Sequence, residues 1–229
     1  MTPVTWPCPT PDGSLAAELA LIAGTGDRRR VLIVPALFEE ASKLRRFTVE
    51  TMRRLEAAGI AAVLPDLPGT NESLQPLEAQ TPASWRAALA AAAAHFDATH
   101  VLAMRGGALV APAGLPGWLL APVKGASVLR QMLRARILAR REAGIEETQE
   151  GLLAQGRVHG LELAGYRLGA SFLADFATLE ADPAGRMVVT ADLLDGPGLW
   201  LRAEPGESAS QADALASIVA VGMAWEAAP

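Results

Sequence analysis

The sequence predicts an α/β fold: a doubly wound, mostly parallel sheet with helices on both faces. Three observations support this prediction. Short apolar runs recur along the chain, amphipathic segments alternate with them, and a glycine-rich turn follows the third run. With 229 residues, of which 51% are hydrophobic, the chain is long enough to bury one core. We therefore expect a single domain over residues 1–229.

The first strand–helix–strand unit is predicted over residues 30–64. The β-branched apolar run Arg30–Leu37 is typical of a buried strand in a parallel sheet. An amphipathic helix is expected over Ala41–Ala58, because its large apolar side chains fall on one face and Gly59 closes it. The run Ile60–Leu64 predicts the second strand, which a proline-rich turn ends.

The alternation continues into the middle of the chain. Pro82 suits the first turn of a helix, which we expect over Ser84–Phe96. Val101–Met104 predicts the third strand, and Trp118–Ala121 predicts the fourth. This order of strands and helices is the signature of an open, doubly wound sheet.

A small, mainly helical insertion is predicted at about residues 124–183, and we name it the cap segment. Its first part, Lys124–Arg141, is a strong helix candidate, and the following stretch Glu142–Gln155 is polar. Val158–Gly165 alternates as a strand does, and Arg167–Leu179 has helical spacing. The change of character suggests an excursion between two strands of the sheet.

The sheet is expected to resume after the cap segment. Arg186–Ala191 and Leu199–Ala203 predict two more strands, and Ser208–Trp225 predicts a closing helix with one apolar face. Near the start of the chain, Gly24-Thr25-Gly26 precedes a strand instead of following one. We therefore interpret it as a hairpin turn and not as a phosphate-binding loop.

Composition excludes several classes of protein. The net charge of −5 gives no general attraction to nucleic acid. A single cysteine, Cys8, excludes an internal disulfide framework and fits a reducing compartment. The first ten residues lack the basic and apolar regions of a secretory signal, and the best apolar stretch, Ala87–Ala94, is too short to span a bilayer. We expect a cytoplasmic protein that is not transmembrane.

A glycine-rich turn carries the most informative residue of the chain. Thr99–Ala108 (THVLAMRGGA) is a short apolar strand that runs into a turn, the pattern of a nucleophile elbow. In a serine hydrolase this turn reads G-x-S-x-G and holds the serine hydroxyl at its tip. Here Ala103–Gly107 (AMRGG) places Arg105 at that position. A guanidinium stays protonated and cannot attack a carbonyl, so the usual chemistry is excluded at this residue.

Two further stretches carry a resemblance to a known family. Val34–Glu40 (VPALFEE), followed by Lys43, Arg45 and Arg46, is similar to a turn that reads P-F-x-E-E-x-N-x-S-R-R. Asp66–Ser73 (DLPGTNES) is similar to a loop that reads D-L-P-G-x-G-x-S. On these residues the chain resembles the α/β-hydrolases, and more narrowly the hydrolase-like proteins associated with exosortase A systems, which accompany exopolysaccharide loci.

The resemblance extends over most of the chain, with departures at Ser42, Leu44 and Asn71. Gly165–Leu168 (GYRL) and Leu199–Gly206 (LWLRAEPG) resemble one branch of that family. This branch carries G-x-R-x-G at the elbow. The resemblance thus implies an α/β-hydrolase fold in which the elbow arginine is a regular feature.

A search for a catalytic set finds neither nucleophile nor base in place. In α/β-hydrolases the order along the chain is serine, then acid, then histidine, with the histidine after the last strand. Residues 204–207 (EPGE) occupy that place here. The three histidines, His95, His100 and His159, lie elsewhere, and no grouping has metal-ligand spacing. Asp192 and Asp195 are candidate acids with no base to orient.

Two interpretations of Arg105 remain open at this point. Arg105 pairs with Glu39, Glu40 or Asp66, which follow neighbouring strands, because a buried guanidinium needs an anion. Alternatively, Arg105 and the backbone amides of Gly106 and Gly107, at the start of a helix, bind a carboxylate, a phosphate or an acidic sugar. The two are compatible, since a ligand can compete for the arginine.

The predicted helix Lys124–Arg141 also has two interpretations. It carries six basic residues and no acidic one. Such a run is most often a solvated helix face. The alternative is a surface for an anionic polysaccharide, a lipid headgroup or an acidic partner protein.

The sequence therefore favours a non-catalytic binding or accessory protein in an exopolysaccharide-associated system, without metal or cofactor. Its expected ligand is a small anion or an acidic sugar, and the partner is another protein or a second copy of the chain. The candidate binding residues are Phe38, Glu39, Glu40, Arg105, Gly106 and Gly107. The alternative is a hydrolase or esterase with a non-standard set, either Ser73 or an acid–water mechanism with Asp66 and Asp195. A third option is an interaction module that docks through the basic helix.

Overall fold

Nine strands and six α-helices form within residues 1–25 and 29–226, the part of the chain that the computed structural model describes. The strands are β1 (Thr2–Pro9), β2 (Leu15–Ala23), β3 (Arg30–Val34), β4 (Ala61–Pro65), β5 (His100–Met104), β6 (Gly117–Leu120), β7 (Leu161–Leu163), β8 (Tyr166–Leu168) and β9 (Arg186–Val189). The helices are α1 (Glu39–Ala57), α2 (Pro82–His95), α3 (Gly125–Glu142), α4 (Gln149–His159), α5 (Ala170–Phe176) and α6 (Ala209–Glu226).

Seven strands form one sheet in the order β1-β2-β4-β3-β5-β6-β9. The five strands from β4 to β9 run parallel, and β1 and β2 add an antiparallel pair at one edge. In the central register, Leu32 of β3 lies opposite Val63 of β4 and Val101 of β5. The predicted mostly parallel, doubly wound sheet is confirmed.

Helices cover both faces of the sheet and enclose two cores. Leu32 and Val34 of β3 belong to the first core, with α2 and the helices of the cap segment. Val31 and Ile33 point to the second core, with α1 and α6. All four residues are fully buried. Burial on both faces explains why the central strands read as continuous apolar runs.

The antiparallel edge pair was not predicted, because prolines obscure its first strand. β1 contains Pro3, Pro7 and Pro9, which all fall at odd positions, while Trp6 and Cys8 at even positions are buried. In an antiparallel strand, alternate residues direct their N–H groups to the partner. Prolines of one parity on an edge strand therefore leave the ladder to β2 intact.

The two helices that flank the central strands agree closely with the prediction. α1 begins two residues before the predicted start and ends within one residue of the predicted end. Pro82 occupies the first turn of α2, as expected. The side chain of Thr81 caps this helix by accepting a hydrogen bond from the Ser84 backbone N–H at 3.0 Å.

The cap segment contains more structure than the sequence indicated. α3 matches the prediction, but the polar stretch after it leads into α4, which was missed. The predicted strand over Val158–Gly165 is confined to β7, which pairs with β8 as a separate two-stranded sheet. The predicted helix over Arg167–Leu179 is correct only as α5, because Arg167 and Leu168 belong to β8.

The strand predicted over Leu199–Ala203 is wrong. Leu199–Leu201 is a short 3-10 helix, and no strand follows β9 in the described part of the chain. Leu199 is buried but Leu201 is 74% exposed, so this run has too few inward-facing residues to form a buried strand. The closing helix is confirmed as α6.

The predicted hairpin turn at Gly24-Thr25-Gly26 falls partly outside the described residues, which omit Gly26. β2 pairs with β4 and not with β3. β2 and β3 are therefore not paired with each other in the sheet.

Candidate functional site

Three strained turns meet at the carboxyl ends of the central strands. Phe38 after β3, Arg105 after β5 and Ala121 after β6 have left-handed backbone, with φ of 56°, 52° and 41°. For a residue other than glycine, this conformation costs about 1–3 kcal/mol of stability. Such strained residues are concentrated at functional sites. Arg105 directly follows β5, where a nucleophile elbow holds its serine. The strained strand-to-turn geometry is present, with arginine at its tip.

The guanidinium of Arg105 forms a two-pronged ion pair with Glu40, the second residue of α1. Nε lies 3.1 Å from Oε2, and Nη2 lies 3.0 Å from Oε1. Both side chains are largely buried, with exposed fractions of 14% and 13%. The internal ion pair predicted for Arg105 is therefore present, and Glu40 is its carboxylate.

Two further contacts complete the surroundings of Arg105. Nη1 donates a hydrogen bond to the Ala121 carbonyl at 2.7 Å. Cζ lies 4.4 Å from the ring centroid of Trp200, a cation–π contact worth about 0.5–2 kcal/mol. Each nitrogen of the guanidinium thus donates to an acceptor within the chain. A ligand that bound the Nε–Nη2 edge of Arg105 would have to displace Glu40.

The neighbours of Glu40 also have internal partners. Glu39 pairs with Lys43 at 2.8 Å, and Phe38 packs edge-on against Tyr166 and Phe172 at 5.2 and 6.0 Å between centroids. Burial, together with the charge of Glu39, raises the pKa of Tyr166. The cavity among these side chains measures about 30 Å³. It has room for a water molecule but not for a sugar or a phosphate ester.

The two glycines of the elbow are packing residues. Gly106 and Gly107 are buried, and they lie against the side chain of Leu37 and the backbone of Pro35. The segment that follows the elbow is a 3-10 helix over Arg105–Leu109 and not an α-helix. The backbone amides of Gly106 and Gly107 therefore lie in a short 3-10 helix and not at the N-terminus of an α-helix.

Ser73 ties its own loop to the edge of the sheet. Its Oγ donates to Glu18 Oε1 at 2.7 Å and accepts from the backbone N–H groups of Gly69 and Gln75 at 2.8 and 3.2 Å. The Gln75 side chain also donates to Glu18 Oε1, at 2.8 Å. The Glu18 residue is 1% exposed. These bonds fix the loop after β4 and give Ser73 a structural role.

The two carboxylates of the acid–water alternative are not brought together. Burial raises the pKa of Asp66, and its Oδ1 accepts a hydrogen bond from Asn71 at 2.7 Å. Asp195 is exposed on the loop after β9. The charged side chains that act on Asp66 are Arg45 and Glu72, and Asp195 is not among them.

None of the three histidines is among the residues that contact Arg105. His95 ends α2 and packs against Phe96 at 4.7 Å between centroids, and His159 is exposed at the end of α4. His100 begins β5 and therefore lies at the amino end of the strand that Arg105 follows at its carboxyl end. Its ring stacks on Trp118, with 5.8 Å between the ring centroids. A nucleophile at the elbow would have no imidazole base.

The place of the missing base is occupied by a surface segment. Residues 204–207 follow the 3-10 helix that contains Trp200, and Glu207 forms an exposed ion pair with Arg46 at 2.5 Å. Trp200 itself is a site residue that the sequence did not single out. The sequence pattern of Leu199–Ala203 is that of a strand, and nothing in a strand at this position indicates a contact between Trp200 and Arg105.

The described residues contain no group of three or more side chains suited to a metal ion. None of their helices is long and apolar enough to cross a membrane.

The basic helix α3 is only partly compensated by acidic neighbours. Lys124 pairs with Glu180 and Arg136 with Glu147, both at 2.7 Å. Other basic residues of α3 line a groove next to Arg105. From the sequence, the elbow and the basic helix were interpreted as two separate features. In the structure they lie side by side, because the cap segment starts at the carboxyl end of β6.

Comparison with known proteins identifies the fold. No known protein family matches the chain by sequence, and no curated protein is similar to it. A protein of Agrobacterium vitis S4 with a provisional hydrolase name superimposes with a TM-score of 0.55 at 16% identity, over 96% of this chain and 98% of that one. Est1E of Butyrivibrio proteoclasticus, solved with ferulic acid, gives a TM-score of 0.51 at 15% identity, over 70% of this chain and 67% of that one. The chain has the α/β-hydrolase fold, as the resemblance implied.

Proposed function

We propose that this α/β-hydrolase-fold chain is a non-catalytic binding or accessory protein in an exopolysaccharide-linked, exosortase-associated system. The similarity of VPALFEE and DLPGTNES to the turns of that family supports the choice of system. A cytoplasmic location is part of the proposal, because a lone, buried Cys8 suits a reducing compartment.

The Arg105–Glu40 pair is the observation that carries the non-catalytic role. A serine hydrolase of this fold needs an exposed nucleophile at the elbow, a base beside it and donors for the oxyanion. Here the elbow tip is a guanidinium whose nitrogens all donate within the chain. The candidate serine, Ser73, forms its hydrogen bonds with Glu18, Gly69 and Gln75 and with no histidine.

The expected ligand of this protein is anionic, and we place it beside Arg105 instead of on it. We also propose that the cap segment covers this edge of the sheet and forms one wall of the binding site. Glu40 then keeps Arg105 in position as part of the wall of this site.

Activity-based labelling tests the absence of catalysis. The purified chain is incubated with a fluorophosphonate probe and with short p-nitrophenyl esters, and a known serine hydrolase serves as positive control. We expect no covalent adduct by mass spectrometry and ester hydrolysis at the background rate. An adduct on the native chain that is absent from the Ser73→Ala variant would contradict the proposal.

That outcome would favour the second candidate function, a hydrolase that uses Ser73. The observation behind this alternative is the short hydrogen bond, 2.7 Å, from Ser73 Oγ to the buried carboxylate of Glu18. A carboxylate can act as a general base toward a hydroxyl at this distance.

The accessory role is tested in the source organism. Deletion of the gene should reduce the amount of exported exopolysaccharide, and a plasmid copy should restore it. An unchanged amount in the deletion strain would contradict the assignment to this system, whatever the labelling result.

A further inference from the structure

A groove of about 460 Å³ opens beside the Arg105–Glu40 pair, between α3 and the 3-10 helix after β9. We name it the basic groove. The lining residues that matter here are Lys43, Arg105, Arg130, Arg134, Trp200 and Leu201. The groove is more than ten times larger than the 30 Å³ cavity beside Phe38. It has the size of a small-molecule site.

Helical spacing produces one wall of the groove. Ser127, Arg130, Gln131 and Arg134 of α3 stand at i, i+3, i+4 and i+7, so they share one face of the helix. All four line the groove, and all carry hydrogen-bond donors. This face therefore presents a continuous row of donors.

The charges in the groove are not balanced within the chain. Lys43 is paired with Glu39, and Arg105 is paired with Glu40. Arg130 and Arg134 are exposed, and neither forms an ion pair or a side-chain hydrogen bond within the described residues. Two like charges at i and i+4 weaken a helix by a few tenths of a kcal/mol unless an anion lies between them.

We propose that the basic groove binds a ligand through a phosphate group held between Arg130 and Arg134. Guanidinium groups bind phosphate oxygens in pairs, and two arginines one turn apart can grip a single tetrahedral group. A dianionic phosphate matches the two unpaired positive charges. A single carboxylate would neutralise only one of these two charges. Arg105 needs no anion from the ligand, because Glu40 already supplies its carboxylate.

The remaining space of the groove suits a ring-sized group attached to the phosphate. Trp200 and Leu201 form the wall opposite α3, and Leu201 is 74% exposed. An apolar wall that faces a polar wall is the usual arrangement of a site for an amphipathic small molecule. The ligand class is thus a phosphate monoester, either a soluble sugar phosphate or the headgroup of phosphatidic acid.

This inference deepens the proposed binding role and rests on it, since it takes the groove as the place where the ligand binds. Isothermal titration calorimetry tests it with glucose 1-phosphate and glucuronate as soluble probes. Sedimentation with phosphatidylcholine vesicles that contain phosphatidic acid tests the lipid source. The test variant is Arg130→Gln/Arg134→Gln. The control variant is Arg141→Gln/Arg157→Gln, which removes the same charge at two exposed sites outside the groove.

We expect one of the two phosphate sources to bind and glucuronate to bind at least about tenfold more weakly than glucose 1-phosphate or not at all. The groove variant should weaken phosphate binding by about tenfold or more, and the control by less than about twofold. Because all four substituted arginines are exposed, both variants should fold as the native chain does.

Three outcomes would overturn the inference: no binding of either phosphate source, equal loss in the two variants, or binding of glucuronate within about tenfold of the phosphate source that binds. The proposed function is judged separately by fluorophosphonate labelling and ester hydrolysis. A chain that binds no phosphate and is not labelled loses only the inference. A chain that is labelled at Ser73 loses the proposed function even if phosphate binds in the groove.

Discussion

Gly107 packs so closely against Pro35 that a Cβ atom on Gly107 would lie 2.1 Å from the Pro35 carbonyl oxygen. This contact joins the turn after β5 to the chain that leaves β3. It sets the spacing between the two strand ends that hold the Arg105–Glu40 pair. The second glycine of the elbow is therefore required by its neighbours and not by the chemistry of a hydrolase.

Substitution of this glycine should destabilise the fold. Gly107→Ala forces backbone to move, and we expect a loss of about 3 kcal/mol in the free energy of unfolding. Gly106→Ala is the matched control, because its Cβ would meet only the flexible side chain of Leu37 at 3.4 Å, and a loss under about 1 kcal/mol is expected. Urea unfolding measures both, and equal losses would contradict the steric argument.

The Arg105–Glu40 pair should show strong coupling. Arg105→Met leaves a largely buried carboxylate unpaired, and we expect a loss of about 3 kcal/mol. The double variant Arg105→Met/Glu40→Leu should recover part of this loss, with a coupling energy of about 1–3 kcal/mol in a double-mutant cycle. Lys124→Met breaks an exposed pair with Glu180 and should change stability by less than about 1 kcal/mol. Additive effects at Arg105 and Glu40 would refute the pair as a stabilising contact.

Ser73 should behave as a structural residue. Ser73→Ala removes three hydrogen bonds that hold the loop after β4, so we expect a loss of about 1–3 kcal/mol. The control Ser171→Ala changes an exposed serine and should stay within about 0.5 kcal/mol. Thermal unfolding followed by circular dichroism compares the two. A stability of Ser73→Ala equal to that of the native chain would show that these bonds contribute little.

The buried thiol predicts a loss of stability at alkaline pH. Burial, and then the charge of Glu18, raises the pKa of Cys8 to about 12, against an ordinary value of 9.0. Between these values the unfolded chain releases the thiol proton and the folded chain keeps it. The free energy of unfolding should therefore decrease as the pH rises above 9, by up to about 1.4 kcal/mol per pH unit from this group.

The variant Cys8→Ala isolates this contribution, because it removes the thiol and leaves other alkaline titrations in place. Urea unfolding at several pH values above 9 should give a shallower decrease for the variant than for the native chain. Parallel decreases in the two proteins would show that the thiol titrates alike in the folded and unfolded states.

Elements with strong periodicity were predictable from the sequence. α1 and α6 each carry an apolar face at helical spacing, and β3 is an unbroken apolar run, so their positions follow from burial alone. β1 was missed because its prolines suppress the strand signal although they are harmless on an edge. The strand predicted over residues 199–203 was wrong, because an apolar composition does not form a strand unless alternate residues are buried.

The site was predictable as a type of contact but not in its partners. A buried arginine requires an anion, yet the sequence cannot choose between Glu39 and Glu40. These neighbours on α1 project about 100° apart, so only one of them can face Arg105. The contact with Trp200 spans 95 positions along the chain and depends on how the segment after β9 folds back. The basic groove likewise exists only because α3 starts beside the elbow.

The absence of a strand after β9 in the described part of the chain has a consequence for evolution. A serine at position 105 and a histidine within residues 204–207 would supply two residue types of a catalytic triad. They would not supply its geometry, because no strand end positions residues 204–207 beside the elbow. Ester hydrolysis at this elbow would require the insertion of a structural element as well as substitutions. Point mutation alone can therefore explore new ligands on this scaffold more easily than it can build a serine-hydrolase triad.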